Sequence, residues 1–154
     1  MHHPLPLVVA ATLALAVAAA ASAARPERLV GTATNAKLHE TVLVTTAQRT
    51  LYTLSAERRG RFVCVKGCLS FWTPLTVAAG RTPSGAAGLG AVTRPGGTRQ
   101  VTFRGLPLYT FNGDHRRGDA NGEGVKDVGV WHAASPSHAQ PQPAPAPGGY
   151  GYGG

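Results

Sequence analysis

The apolar positions of this chain fall in short runs separated by Gly, Pro, Asn and Asp, and no stretch sustains helical spacing. Residues 42–46 and 50–54, rich in Val, Thr and Leu, read as a first hairpin around Ala47-Gln48-Arg49. Residues 71–75, Phe71-Trp72-Thr73-Pro74-Leu75, form a short apolar piece bounded by Pro. A Gly/Ser/Pro-rich loop follows over residues 79–90. Residues 89–94, 99–104 and 106–111 then read as a meander, with turns at Pro95-Gly96-Gly97 and near Gly105. Pro107 sits at a strand start, where its missing N–H is tolerated. Residues 128–134 supply a last strand. β-branched and aromatic runs between turn formers predict an all-β fold.

The runs also repeat. Leu51-Tyr52-Thr53-Leu54-Ser55-Ala56-Glu57 recurs as Leu108-Tyr109-Thr110-Phe111-Asn112-Gly113-Asp114, and Val44-Thr45 aligns with Val101-Thr102 at the same offset. Such self-similarity predicts two like supersecondary units sharing one core. We place them at about residues 36–78 and 88–136 of a single domain spanning 36–136. Each copy ends in an acid five residues after its tyrosine, Glu57 after Tyr52 and Asp114 after Tyr109. Asn112-Gly113 is the strongest hairpin signal, because a type I′ turn needs positive φ at both central residues. That turn would set Phe111 opposite Asp114 and make Tyr109 its diagonal neighbour, so that a buried phenol finds a carboxylate acceptor. Each repeat is thus expected to hold its own tyrosine–acid contact. Trp72 and Trp131, one per repeat, are expected to plug the core.

Both ends read differently. Residues 1–24 carry an Ala/Leu/Val run ending in Ala21-Ser22-Ala23-Ala24, the pattern of a cleaved export signal. At about 15 residues the run is short of the roughly 20 needed to span a bilayer, so no stable membrane span is expected after cleavage. No cysteine stands near the cut for lipid attachment. Residues 137–154, rich in Pro, Gln, Ala, Gly and Tyr, cannot build a core and read as a disordered tail. The formal charge of +8 favours anionic neighbours such as cell-surface polymers. Export argues against nucleic acid as the partner, and a secreted or periplasmic location follows.

Taken together, Tyr109, Phe111 and Asp114 resemble the motif Tyr-x-(Phe/Trp/Tyr)-x-x-Asp of secreted repeat proteins often described as predicted lipoproteins. Gly118-Asp119-Ala120-Asn121-Gly122 and Gly129-Val130-Trp131 are similar to that family's Gly-Asp-x-Asn-Gly stretch and closing Gly-Val-Trp. Cys64 and Cys68, followed by Phe71-Trp72-Thr73-Pro74-Leu75, are similar to its Cys-x-x-x-Cys and Trp-Pro-Leu segment. The first copy departs, with Leu54 for the aromatic and Glu57 for the aspartate. The resemblance covers roughly residues 36–136 and implies an exported bacterial envelope protein of unassigned role. The missing lipidation cysteine departs from the lipoprotein description.

The chemistry on offer is sparse. Cys64 and Cys68 are the only cysteines, and an oxidising compartment favours a disulfide that pins their loop. The alternative is a thiophilic metal such as copper, held with His39, His115 or His132. Asp119-x-Asn121-x-Glu123-Gly124 resembles the start of a calcium loop, but Val130 stands where the closing glutamate belongs. A catalytic Tyr109/Asp114 pair would need a perturbed acid in a cleft. With no recognised catalytic set, cofactor motif or complete metal motif, the expectation is a non-catalytic binding or structural protein.

Overall fold

The computed structural model describes residues 24–138 apart from residue 59. The expected export signal, up to residue 23, and the tail beyond residue 138 lie outside the described residues. The described chain is strands, turns and one short 3₁₀ turn, Gly67–Ser70. In order the strands are β1 (Arg25–Arg28), β2 (Val30–Asn35), β3 (Glu40–Thr45), β4 (Leu51–Leu54), β5 (Trp72–Pro74) and β6 (Arg81–Ser84). There follow β7 (Leu89–Thr93), β8 (Arg99–Phe103), β9 (Leu106–Pro107), β10 (Tyr109–Phe111) and β11 (Trp131–Ala133).

The fold is all-β, as the turn-punctuated pattern implies. It starts earlier than the expected boundary at residue 36. β1 runs parallel to β6, and β2 pairs along its whole length with β3. β2 was hidden because Val30 is its one large apolar residue, the rest being Gly, Thr, Ala and Asn. The first predicted hairpin is also altered. Thr45 N donates to Arg49 O at 2.9 Å, closing the turn, but only one bridge, Val44 with Thr50, joins the two arms. β3 gives its ladder to β2, and β4 enters a different sheet.

That sheet is the centre of the molecule, with order β11-β4-β10-β5. Tyr52 on β4 lies opposite Tyr109 on β10. Outside them, Trp131 pairs with Leu54, and Trp72 pairs with Phe111. Leu54 and Phe111 occupy equivalent positions of the two repeats. The sheet is therefore built by exchange: the tryptophan strand of each copy pairs with the tyrosine strand of the other. The backbone continues the rule past the strands. Ala134 N donates to Leu51 O and Leu75 N to Leu108 O, at 2.8 and 2.9 Å, each three residues after its tryptophan.

β4 is buried on both faces, whereas Thr73 on β5 and His132 on β11 are exposed. Tyr52, Leu54, Trp72, Tyr109 and Trp131 fill one apolar cluster with Val42 and Val44. Leu51, Leu108, Leu43, Val101 and Phe103 fill a second. A strand buried on both sides reads as a continuous apolar run without alternation, which is how Leu51-Tyr52-Thr53-Leu54 appears.

Candidate functional site

The two tyrosine–acid pairs occupy the middle of the exchanged sheet. Tyr52, Tyr109 and Glu57 are 0% exposed and Asp114 is 1% exposed. Their partners correct the expectation from sequence. The Tyr52 hydroxyl donates to Asp114 Oδ2 at 2.6 Å, while the Tyr109 hydroxyl donates to Glu57 Oε2 at 2.9 Å. Each phenol takes the acid of the other copy, not its own.

The cause lies in the turn after β10. Neither Asn112 nor Gly113 has positive φ, so the type I′ turn does not form. Asp114 N donates to Phe111 O at 3.1 Å, and no returning strand follows. Asn112 is instead drawn sideways: its Nδ2 donates to Ser70 O at 2.9 Å, and its N to Phe71 O at 2.8 Å. The carboxylate of Asp114 is thereby carried under β4.

Around the phenols the aromatic rings interlock. Trp72 and Trp131 stack with centroids 3.6 Å apart and planes at 10°. Tyr52 meets Trp72 edge-on at 5.4 Å, and Tyr109 meets Trp131 edge-on at 5.1 Å. The two edge-on contacts are therefore kept within each copy, while the indole stack, strand pairing and acid–phenol bonding cross between them. Phe111 packs on Trp72 at 4.6 Å.

Both carboxylates also hold the loop that follows them. Asp114 Oδ1 accepts Asn121 N, and Glu57 Oε1 accepts Cys64 N, each at 2.8 Å and each seven residues ahead. Glu57 Oε1 also accepts Val63 N at 2.8 Å. At the second donor to the phenol the copies part. Gly122 N donates to the Tyr52 oxygen at 3.3 Å, whereas the Arg94 guanidinium donates to the Tyr109 oxygen at 2.9 Å. Arg94 is buried and also reaches Gln100 Oε1 at 2.5 Å and Cys64 O at 2.6 Å. Its guanidinium lies 4.6 Å from the Phe62 ring centre.

These environments hold both phenols neutral. Burial pushes the Tyr52 hydroxyl far above its ordinary range, and the bond to Asp114 adds to the rise. Burial and the Glu57 charge do the same to Tyr109, where Arg94 pulls the other way. A phenol held this way is a hydrogen-bond donor, not a base.

The Gly-Asp-Ala-Asn-Gly stretch gains a role for each polar member. Asp119 Oδ2 accepts the backbone N–H of His115 and of Arg116, both at 2.9 Å, and Oδ1 meets Lys37 Nζ at 3.2 Å. Those amides hold its carboxyl at about 2, below the usual range. Asn121 Nδ2 donates to Gly113 O at 3.0 Å. Gly122 leaves room for rings: a Cβ there would stand 2.8 Å from Trp72 and 2.9 Å from Tyr52. The calcium-loop residues do not converge, since Glu123 bonds the His132 ring at 2.8 Å and Ala133 N at 2.6 Å.

Cys64 and Cys68 are joined as a disulfide, with Cα atoms 5.5 Å apart. The histidines weighed as metal partners stand elsewhere: His132 is on β11 with Glu123, and His39 is in the turn between β2 and β3. His138 places its ring 2.9 Å from Glu40 while staying 62% exposed. Sequence reasoning missed Arg94 and Gln100, which had appeared only as the edges of a meander turn.

Comparison with known proteins agrees with the second copy. Residues 90–135 match a family model described as a secreted repeat of unknown function. That segment runs from β7 through β11 and so includes Arg94, Tyr109, Asp114 and Trp131. No curated protein and no solved structure matches the chain.

Proposed function

We propose that this chain is an exported, non-catalytic binding or structural module of the cell envelope or extracellular space. One observation carries the reading: every tyrosine and acid of the two motifs is buried and engaged in joining the copies. Tyr109 and Asp114, the pair an enzyme would use, bond to different partners and line no open cleft. Chemistry on a substrate needs a group that can touch it. The secreted repeat matched over residues 90–135 supports an extracellular location. Among the described residues no helix is long and apolar enough to cross a membrane. The disulfide speaks against copper handling, because a metal needs thiolates.

The positive charge makes anionic cell-surface polymers the favoured partner class. Fractionation of the native host tests the proposal. The protein should leave the cytoplasm with its new N-terminus after Ala23 or Ala24. It should also co-sediment with purified anionic envelope polymer and be released as salt rises. An uncut cytoplasmic chain, or one indifferent to salt and polymer, overturns it.

A further inference from the structure

Beside β11 lies an open groove of about 540 Å³ that the tyrosine–acid pairs do not touch. Small-molecule sites span roughly 300–1,000 Å³. Phe103, Leu106, Ala133 and Ala134 give it an apolar floor. The far wall, residues 135–138, is fastened in place. Arg104 donates to His138 O at 2.6 Å and to Pro136 O at 2.8 Å, and Ser135 Oγ donates to Thr41 O at 2.8 Å. The Arg104 guanidinium also lies 4.8 Å from the centre of the Phe103 ring, joining wall to floor.

Arg58 and Arg104 bring positive charge to the rim beside the His132 and His138 rings, and no Asp or Glu is among its described lining residues. Glu123 and Glu40 hold the two histidine rings without lining the groove themselves. Hydroxyls of Thr53, Ser55 and Ser137 complete the edge. An apolar floor within a cationic, hydroxyl-bearing rim suits a ligand with both characters.

We propose that this groove binds a small amphipathic anion, an aromatic or branched aliphatic body carrying a carboxylate or sulfonate. The inference rests on the reading of the chain as a binding module and supplies its ligand class. It takes a free small molecule as occupant, not a lipid surface.

The test uses the mature protein and 8-anilinonaphthalene-1-sulfonate as probe, with a cooperative melt recorded to show an intact fold. One-to-one saturable fluorescence is expected, with uncharged N-phenyl-1-naphthylamine about tenfold or more weaker. Leu106→Glu, which puts a carboxylate into the floor, should lower probe affinity about tenfold. Should that variant lose its melt, amide spectra of the unaltered chain decide, with shifts expected at Thr53, Leu106, Ala133 and Ser137. Absence of binding, equal binding of the uncharged analogue, or shifts centred elsewhere overturns the proposal. So does capture by anionic vesicles that free probe does not compete away. A protein found in the cytoplasm would defeat the envelope reading yet leave this titration unchanged, so the two fail separately.

Discussion

The Tyr52–Asp114 and Tyr109–Glu57 pairs share geometry but differ in how each buried carboxylate is neutralised. Around Asp114 the donors are a phenol and the Asn121 amide. Around Glu57 they are a phenol and two amides, with the Arg94 guanidinium bonded to that phenol and to the loop carbonyl of Cys64. The longer Glu57 side chain serves a loop closed by the disulfide, while the shorter Asp114 serves one that Asp119 and Asn121 organise. The two copies share the exchange of strands while their loops are held in separate ways.

Arg94→Met tests the charged side of this contrast most severely. It leaves Glu57 without the nearby cation and strips Gln100 Oε1, Cys64 O and the Tyr109 oxygen of a donor. Breaking a buried charged network typically costs about 3–5 kcal/mol. Chemical denaturation should show a loss of that size, and an equally stable variant would mean Arg94 is dispensable to the Glu57 pair. The matching lesion on the other side is Gly122→Ala, whose methyl would collide with Trp72 and Tyr52. Overpacking of this kind costs about 1–3 kcal/mol. Unchanged stability there would show that the Tyr52 site has slack.

Tyr52→Phe and Tyr109→Phe compare the pairs directly. Asp114 Oδ2 would lose its phenol donor, and an unsatisfied buried acceptor costs about 1–3 kcal/mol. Tyr109→Phe would likewise leave Glu57 Oε2 without its donor, but Oε1 keeps the Val63 and Cys64 amides and the Arg94 cation stays close by, so the loss should sit near the lower end, about 1 kcal/mol. Reversed ranking of the two midpoints would sink the comparison. Both wild-type phenols are raised, so their stabilisation is complete below an ordinary tyrosine pKa of about 10 and fades as pH climbs beyond it. Each Phe variant should flatten that alkaline decline, as denaturant midpoints at rising pH would show.

How much of this could be read beforehand follows from which signals are local. Strand runs, the Leu-Tyr-Thr repeat and the proximity of Cys64 to Cys68 are properties of neighbouring residues, and they were legible. The exchange was not, because an acid five residues from a tyrosine is equally compatible with a partner in its own copy or the other. Asn112-Gly113 pulled the reading toward the local partner, and the bonds of the Asn112 side chain to Ser70 and of its backbone N–H to Phe71 prevailed over that turn preference. Arg94 gave no warning, since nothing near it in sequence marks an arginine destined for burial. β2 escaped because, apart from Val30, its residues are small, Thr32 and Thr34 are exposed, and its pairing with β3 rather than its own pattern makes it a strand.

The smallest expected effect separates the two loops themselves. Asp119 binds the amides of His115 and Arg116, and its carboxyl is lowered to about 2. A depressed carboxyl stabilises the fold above its ordinary pKa near 4 and loses that contribution as pH falls toward about 2. Asp119→Asn has no such proton to take up. The stability difference between wild type and variant should therefore shrink between pH 5 and pH 2, by a modest amount, because the group sits near solvent and Lys37 is its one ion-pair partner among the described residues. In the loop closed by Cys64 and Cys68 the Val63 and Cys64 amides are held by Glu57, which Asp119→Asn does not touch, so they should keep their exchange protection in the variant while the His115 and Arg116 amides lose theirs. Loss of protection there in step with the Asp119 loop would mean that the copies melt as one unit, and the independence argued for their loops would fail.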